Sequence, residues 1–175
     1  MNSRLTTRFW VLAGIILAAA FTRLIPHPPN ATAIGAIALF GGAYFNKKRL
    51  AFAVPIIAMF LSDLIIGFHP GMYAVYLSFV LIVMIGMTLK NRKKVVNIFL
   101  TSVSASVLFF VITNFALWLT GILYPKTIAG LGECFVAAIP FFHYTLFGDL
   151  FFVGVLFGLF EFAKVKFPQL AELEA

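Results

Sequence analysis

Six apolar stretches, separated by short charged or turn-forming segments, most constrain what this sequence can fold into. A transmembrane helix needs roughly 20 apolar residues, so 175 residues leave room for about seven crossings. Only 11% of the residues are charged, which is too few to solvate a soluble domain. We therefore predict one all-α, polytopic integral membrane helical bundle over residues 1–175. The expected six transmembrane helices cover 9–25, 31–45, 50–68, 71–89, 95–123 and 144–163.

The basic residues predict how this bundle is oriented in the lipid bilayer. Cytoplasmic loops of membrane proteins carry an excess of Lys and Arg. With the N-terminus inside, eleven of the 13 basic residues fall on inner segments, and only Arg23 and Lys126 fall outside. We therefore expect both termini on the cytoplasmic side of the membrane. The net charge of +7 then reflects topology, and nucleic acid is not an expected partner.

The first apolar stretch also has features of a secretory signal peptide. Arg4 and Arg8 precede an apolar run that ends in the alanines at 18–20. Arg23 would lie just past a cleavage at these alanines, which argues against processing. We expect the stretch to remain as the first helix.

Ionisable residues inside the predicted spans point to a site, because they are expensive in a bilayer and are functional candidates by default. At about 1.5 Å of rise per residue, Arg23 and Asp63 both fall in the outer third of the membrane. Asp149 is expected there too, within the first turns of the sixth helix, and Asn30 and Asn114 add amide groups. One arginine against two carboxylates leaves a negative charge that needs a proton, water or a ligand.

Aromatic and imidazole groups complete the predicted substrate-binding set, as stacking or capping residues: Tyr73, Trp118, Tyr124 and His143. The segment 124–143 is expected to be an apolar outer loop that could cover the pocket as a lid or re-entrant segment. In the structural alternative, Arg23 pairs with Asp63 or Asp149 only to fasten helices together. Both interpretations place the polar residues at one depth.

Metal binding and enzyme catalysis have weaker support in the sequence. His27, His69 and Cys134 are weak candidates for metal ligands, and one cysteine cannot form an intrachain disulfide. No phosphate-binding glycine loop, zinc-protease helix or serine nucleophile elbow occurs, so we expect no cofactor and no ATP hydrolysis by this chain. An intramembrane enzyme would use Cys134 and His143 with a carboxylate, although no spacing rule supports that set.

A third hypothesis is a structural or accessory subunit of a larger complex. Gly14, Ala18 and Thr22 recur every four residues and would form a face of small side chains on the first helix. Such faces let helices approach closely, either within the chain or between partners.

Several segments together resemble a known family. They are RLIPHPPN at 23–30, GAIALFGGA at 35–43, LSDLIIG at 61–67, ITNF at 112–115, AIPFF at 138–142 and the Gly148-Asp149 pair. They are similar to DUF6580, a family of bacterial membrane proteins described as transport proteins. That family in turn resembles the substrate-binding S-components of energy-coupling factor (ECF) vitamin transporters, which are small six-helix proteins with an outward-facing pocket.

This resemblance implies a function that the residues alone do not give. An S-component captures a vitamin or similar micronutrient outside and releases it inside, usually docked on an ECF coupling subunit driven by ATPases. The implied partners are thus a small-molecule substrate and such a coupling subunit. One motif departs from the pattern: S-components often carry Ala-x-x-x-Ala on the first helix, where this chain has Gly14 and Ala18.

Overall fold

The computed structural model describes residues 3–26 and 31–171. Within these ranges all regular secondary structure is helical, which confirms the predicted all-α class. The six α-helices are Ser3–Phe21 (α1), Ile34–Tyr44 (α2), Lys48–Ile66 (α3), Met72–Met87 (α4), Val95–Thr120 (α5) and Ile128–Lys166 (α6). Two short 3-10 helices, Thr22–Leu24 and Pro168–Leu170, follow α1 and α6.

Four helical segments are long and apolar enough to cross a membrane: Thr6–Leu24, Lys48–Ile66, Val95–Thr120 and Ile128–Lys166. Large apolar side chains cover the surface of these helices; Val96 is 66% and Phe151 64% exposed. Such a surface suits lipid, so the chain is a helical membrane protein. The other two helices, α2 with 11 residues and α4 with 16, are shorter than the roughly 20 that a crossing needs.

Successive helices run in opposite directions between two ends of the bundle. At one end, which we call the Arg8 end, Arg8 Nη2 donates to the Tyr44 carbonyl over 3.0 Å, and Lys90 Nζ donates to the Asn46 carbonyl over 3.2 Å. At the other, the Arg23 end, Arg23 lies 2.6 Å from an Asp63 oxygen. Helices α1, α3 and α5 run towards the Arg23 end, and α2, α4 and α6 return.

Helix α2 lies at the centre, where all of its residues are buried and α1, α3, α4, α5 and α6 surround it. Glycines let these neighbours come close. A Cβ added to Gly86 on α4 would lie 2.9 Å from Leu39 Cα, and one added to Gly42 would lie 2.9 Å from Gly86 Cα. Backbone therefore packs on backbone between α2 and α4, as small residues allow in membrane bundles.

The structure corrects the prediction of an outer loop over 124–143. Helix α6 begins at Ile128 and continues without a break to Lys166, so only residues 121–127 connect α5 to α6. The Thr127 side chain accepts a hydrogen bond from Gly130 N at 3.1 Å and so caps the helix. Pro140 is accommodated inside the helix, where the flanking Phe135 and Phe142 both pack on Phe110.

Adding a single methyl group at Gly86 tests the close contact between α2 and α4. We expect Gly86→Ala to lower the unfolding midpoint in detergent, because overpacking against backbone costs about 1–3 kcal/mol. Gly154→Ala is the matched control: this helical glycine has no atom within 4 Å of an added Cβ. If both variants unfold at the same temperature, the contact is not as close as described.

Candidate functional site

The Arg23 end contains a cavity of about 240 Å³ with polar groups in its wall. Its lining residues are Arg23, Thr32, Ile34, Gly35, His69, Val75, Phe109, Thr145 and Asp149. A second cavity, of about 290 Å³, shares His69, Val75, Phe109 and Thr145 with the first and extends between α5 and α6 to Asn114. Because they share these residues, the two cavities adjoin. We refer to them together as the Arg23 cavity.

Asp149 forms one charged part of the wall and also holds α2 in place. Its side chain is buried and accepts a 2.7 Å hydrogen bond from Ser106 Oγ on α5. The backbone N–H groups of Gly35 and Ala36, in the first turn of α2, also donate to this carboxylate. A helix N-terminus has unpaired N–H groups and a partial positive charge, both of which a carboxylate satisfies. Asp149 therefore caps α2 from a different helix.

Two glycines make room for this cap. A Cβ added to Gly35 would lie 2.8 Å from Asp149 Cγ, which is too close for any larger residue. A Cβ added to Gly148 would lie 3.1 Å from Ala31 Cα, just before α2 begins. Small residues at 35 and 148 thus let α6 bring its carboxylate to the start of α2.

Arg23 and Asp63 form the second charged part of the Arg23 end. Arg23 Nη1 donates to Asp63 Oδ1 and to Ser62 Oγ, each over 2.6 Å. The other carboxylate oxygen of Asp63 accepts a 2.8 Å hydrogen bond from Tyr76 Oη on α4. The cluster joins the 3-10 helix after α1 to α3 and α4 and leaves 11% of the Arg23 side chain exposed. Arg23 therefore fastens helices and lines the cavity at the same time.

These contacts change the charge argument made from the sequence. Arg23 neutralises Asp63, whereas Asp149 is stabilised by a hydroxyl and by the N-terminus of α2. Both carboxylates therefore have hydrogen-bond partners within the protein. The predicted position of Asp149 within the first turns of its helix is also wrong. Asp149 lies 21 residues beyond the first residue of α6, because that helix begins at Ile128 rather than near residue 144.

Among the other predicted substrate-binding residues that the structure describes, Asn114 alone lines the cavity, where its Nδ2 donates to the Phe110 carbonyl over 2.8 Å. Trp118 Nε1 donates to the Pro125 carbonyl over 3.0 Å and so ties α5 to the α5–α6 connection. Tyr124 is half-buried in that connection. Neither aromatic residue is part of the cavity wall.

Two further predicted residues face away from the cavity. Tyr73 is 81% exposed on α4, and His143 is exposed on α6, where its ring lies 4.2 Å from that of Tyr144. The prediction was wrong for these two residues because their position along the sequence indicates depth in the membrane but not which face of the helix they occupy. Asn30 and His27 lie outside the described residues, and their predicted roles stay predictions.

The remaining candidates concern metal and nucleophile chemistry. His69 lines both parts of the cavity, whereas Cys134 is buried between α5 and α6 and its Sγ lies 3.4 Å from the Asn114 carbonyl oxygen. Within 3–26 and 31–171, no three His, Cys, Asp or Glu residues form a group that could hold a metal ion. Cys134 is buried and His143 is exposed, so the two do not form the nucleophile set considered from the sequence.

Several important residues were not predicted. Ser106, Thr145 and Tyr76 are polar or amphipathic residues within apolar helices, and only their spatial neighbours give them a role. Gly35 was noted for helix packing, but its position beside Asp149 is a property of the fold. The sequence signal that could have identified these residues is weak: a hydroxyl-bearing residue or a glycine expected at the same membrane depth as a carboxylate.

The Arg8 end holds a second polar cluster that was also missed. Arg8 is buried, with Nη1 donating to the Leu170 carbonyl over 2.9 Å and Nη2 donating to the Tyr44 carbonyl over 3.0 Å. Tyr44 ends α2, so a cation caps its C-terminus, as the helix dipole favours. The Tyr44 hydroxyl donates to Glu161, which also pairs with Lys164 at 2.6 Å.

Comparison with known proteins identifies the family. The model of DUF6580, a family of unknown function, matches residues 3–170. This match covers nearly the whole chain, so the chain belongs to DUF6580. No protein with a curated description and no solved structure matches it. The likeness to ECF S-components stays a prediction.

Replacing the carboxylate that caps α2 should destabilise the protein. We expect Asp149→Asn to lose about 1.5–3 kcal/mol, because the amide offers the three surrounding donors one neutral acceptor oxygen where the carboxylate offers two charged ones. Ser106→Ala removes one donor and leaves the backbone donors, so its loss should be smaller, about 1 kcal/mol. Reaction of a thiol dye with the single buried Cys134 reports unfolding. Equal midpoints for Asp149→Asn and the parent protein would contradict the cap.

Proposed function

We propose that this member of DUF6580 is a substrate-binding membrane transport protein of the S-component type. It captures a small micronutrient, such as a vitamin or a vitamin precursor, in the Arg23 cavity for uptake. The observation that carries the proposal is the cavity itself, in which polar groups from separate parts of the chain line one space with apolar walls. Ligand sites have this composition, with a few polar groups that orient the ligand.

The size and chemistry of the cavity support a small, partly polar ligand. Its two parts have volumes of about 240 and 290 Å³, close to the lower end of the range for ligand pockets. Arg23 offers donors, His69 and Thr145 offer both donors and acceptors, and Phe109 offers a ring face. Of the three side-chain nitrogens of Arg23, only Nη1 has a hydrogen-bond partner among the described residues. Nε and Nη2 are therefore left for a ligand.

We further propose that the Arg23 end faces the outside of a bacterial inner membrane and that both termini lie inside. Exposed basic residues at the Arg8 end support this orientation, among them Lys47, Lys48, Arg49, Lys94 and Lys166. The chain would then cross the membrane six times, with one of the six α-helices in each crossing. The short α2 fits within the membrane because Asp149 and Arg8 satisfy its two ends, as buried backbone in a bilayer requires.

Energy for transport would come from a partner, and an ECF coupling subunit with its ATPases is the proposed one. Helix α1 offers a surface for it: Gly14 and Ala18 are both exposed, and no atom lies within 4 Å of a Cβ added to Gly14. Small residues on a lipid-facing helix permit close docking of another helix.

The same surface favours one alternative, an accessory subunit that docks a partner and binds no substrate. Purification from native membranes separates the two functions. A stoichiometric partner together with failure to bind any small molecule would favour the accessory role.

Ligand binding by the Arg23 cavity can be tested with one near-isosteric change. Purified protein is screened by thermal shift against water-soluble vitamins and their precursors, and each hit is titrated. We expect Thr145→Val to weaken binding of a hit about 2- to 10-fold, which is the effect of one lost hydrogen bond. Thr101→Val is the control, since this threonine lies on α5 outside the cavity and bonds only within its helix. Equal affinities for both variants would contradict the assigned site.

A further inference from the structure

A groove at the Arg8 end has a different character from the Arg23 cavity. It has a volume of about 320 Å³ and lies between α1 and the connection from α2 to α3. Its wall is mostly apolar and includes Phe9, Trp10, Leu12, Phe45 and Leu50. Lys47 stands at its rim, and no acidic side chain is among the described residues that line it.

The groove has a buried apolar floor and an exposed aromatic edge. Leu12 and Phe45 on the floor are 1% and 3% exposed, whereas Trp10 is 66% exposed. Tryptophan concentrates at the level of the lipid headgroups, where its ring contacts acyl chains and its N–H contacts water. The edge of the groove therefore has the composition of a membrane interface.

Positive charge collects beside this edge. Lys47, Lys48 and Arg49 are consecutive and all exposed. Within 3–26 and 31–171, Lys47 has no acidic partner. A groove with apolar walls and an unpaired cation at its rim is complementary to a molecule with a hydrocarbon chain and an anionic head.

We propose that this groove binds one anionic phospholipid, with an acyl chain against Phe9 and Leu12 and the headgroup phosphate at Lys47. Basic pockets between transmembrane helices recognise anionic headgroups by this chemistry. A second copy of the chain fits less well, because Glu161, the one acid at this end within 3–26 and 31–171, is already engaged by Lys164 and Tyr44. The site depends only on membrane insertion and is independent of the proposed transport function.

Fluorescence of Trp10 provides the test. The chain has two tryptophans, so a Trp118→Phe background leaves Trp10 as the only one. This protein is reconstituted in phosphatidylcholine nanodiscs that contain increasing fractions of phosphatidylglycerol, with bromine on the acyl chains of one lipid at a time. We expect brominated phosphatidylglycerol to quench Trp10 at a lower mole fraction than brominated phosphatidylcholine.

Matched charge variants show whether the site is specific. Lys47→Gln should raise the half-quenching fraction of phosphatidylglycerol about 5-fold, which corresponds to about 1 kcal/mol for one lysine near a lipid surface. Lys94→Gln removes the same charge from an exposed position at the same end, outside the groove. It should change the half-quenching fraction much less.

Four results would overturn the proposal. Equal quenching by the two lipids would show that the groove has no preference for an anionic head. Equal shifts of the half-quenching fraction in Lys47→Gln and Lys94→Gln would indicate that phosphatidylglycerol is attracted to the basic surface without a specific site. Full competition by inorganic phosphate would indicate a site for a soluble anion. Protection of Trp10 from both lipids would mean that a second copy covers the groove.

Discussion

The satisfaction of both ends of α2 is the constraint on which the rest of this structure depends. An 11-residue helix is about 16 Å long, and every residue of α2 is buried, so unpaired backbone groups at either of its ends are costly. Asp149 supplies acceptors to its N-terminus, and Arg8 supplies donors to its C-terminus. The signs of both charges match the helix dipole. Chain segments far apart in sequence are thereby tied to one central helix.

The Arg23 cavity follows from the same arrangement. The cap brings Asp149 on α6 to the first turn of α2, while the Arg23–Asp63 pair holds α1 against α3. Between these two fixed points the helices leave a space that polar groups enter. Arg23, Asp63 and Asp149 each have a structural partner, yet Arg23 and Asp149 both reach the cavity wall. A ligand there would meet polar groups already held in position, which reduces the ordering cost of binding.

The sequence predicted the all-α membrane class and grouped Arg23, Asp63 and Asp149, because apolar length and ionisable residues are local signals. It placed Asp149 too close to the start of its helix. It missed the continuation of α6 through 128–143, since Pro140 suggested a break and the cap at Thr127 was overlooked. It also placed Tyr73 and His143 in the site, because depth along a uniformly apolar helix does not reveal its inward face. Arg8 counted only as a cytoplasmic charge, and its burial depends on Leu170 at the far end of the chain.

The most direct measurement is an experimental structure of the protein purified from its native membrane with any bound small molecule retained. We expect density for one organic molecule in the Arg23 cavity, within hydrogen-bonding distance of Arg23 or Thr145, with Asp149 still on the first turn of α2. A cavity that holds only water or a lipid chain, even after saturation with hits from the vitamin screen, would contradict it.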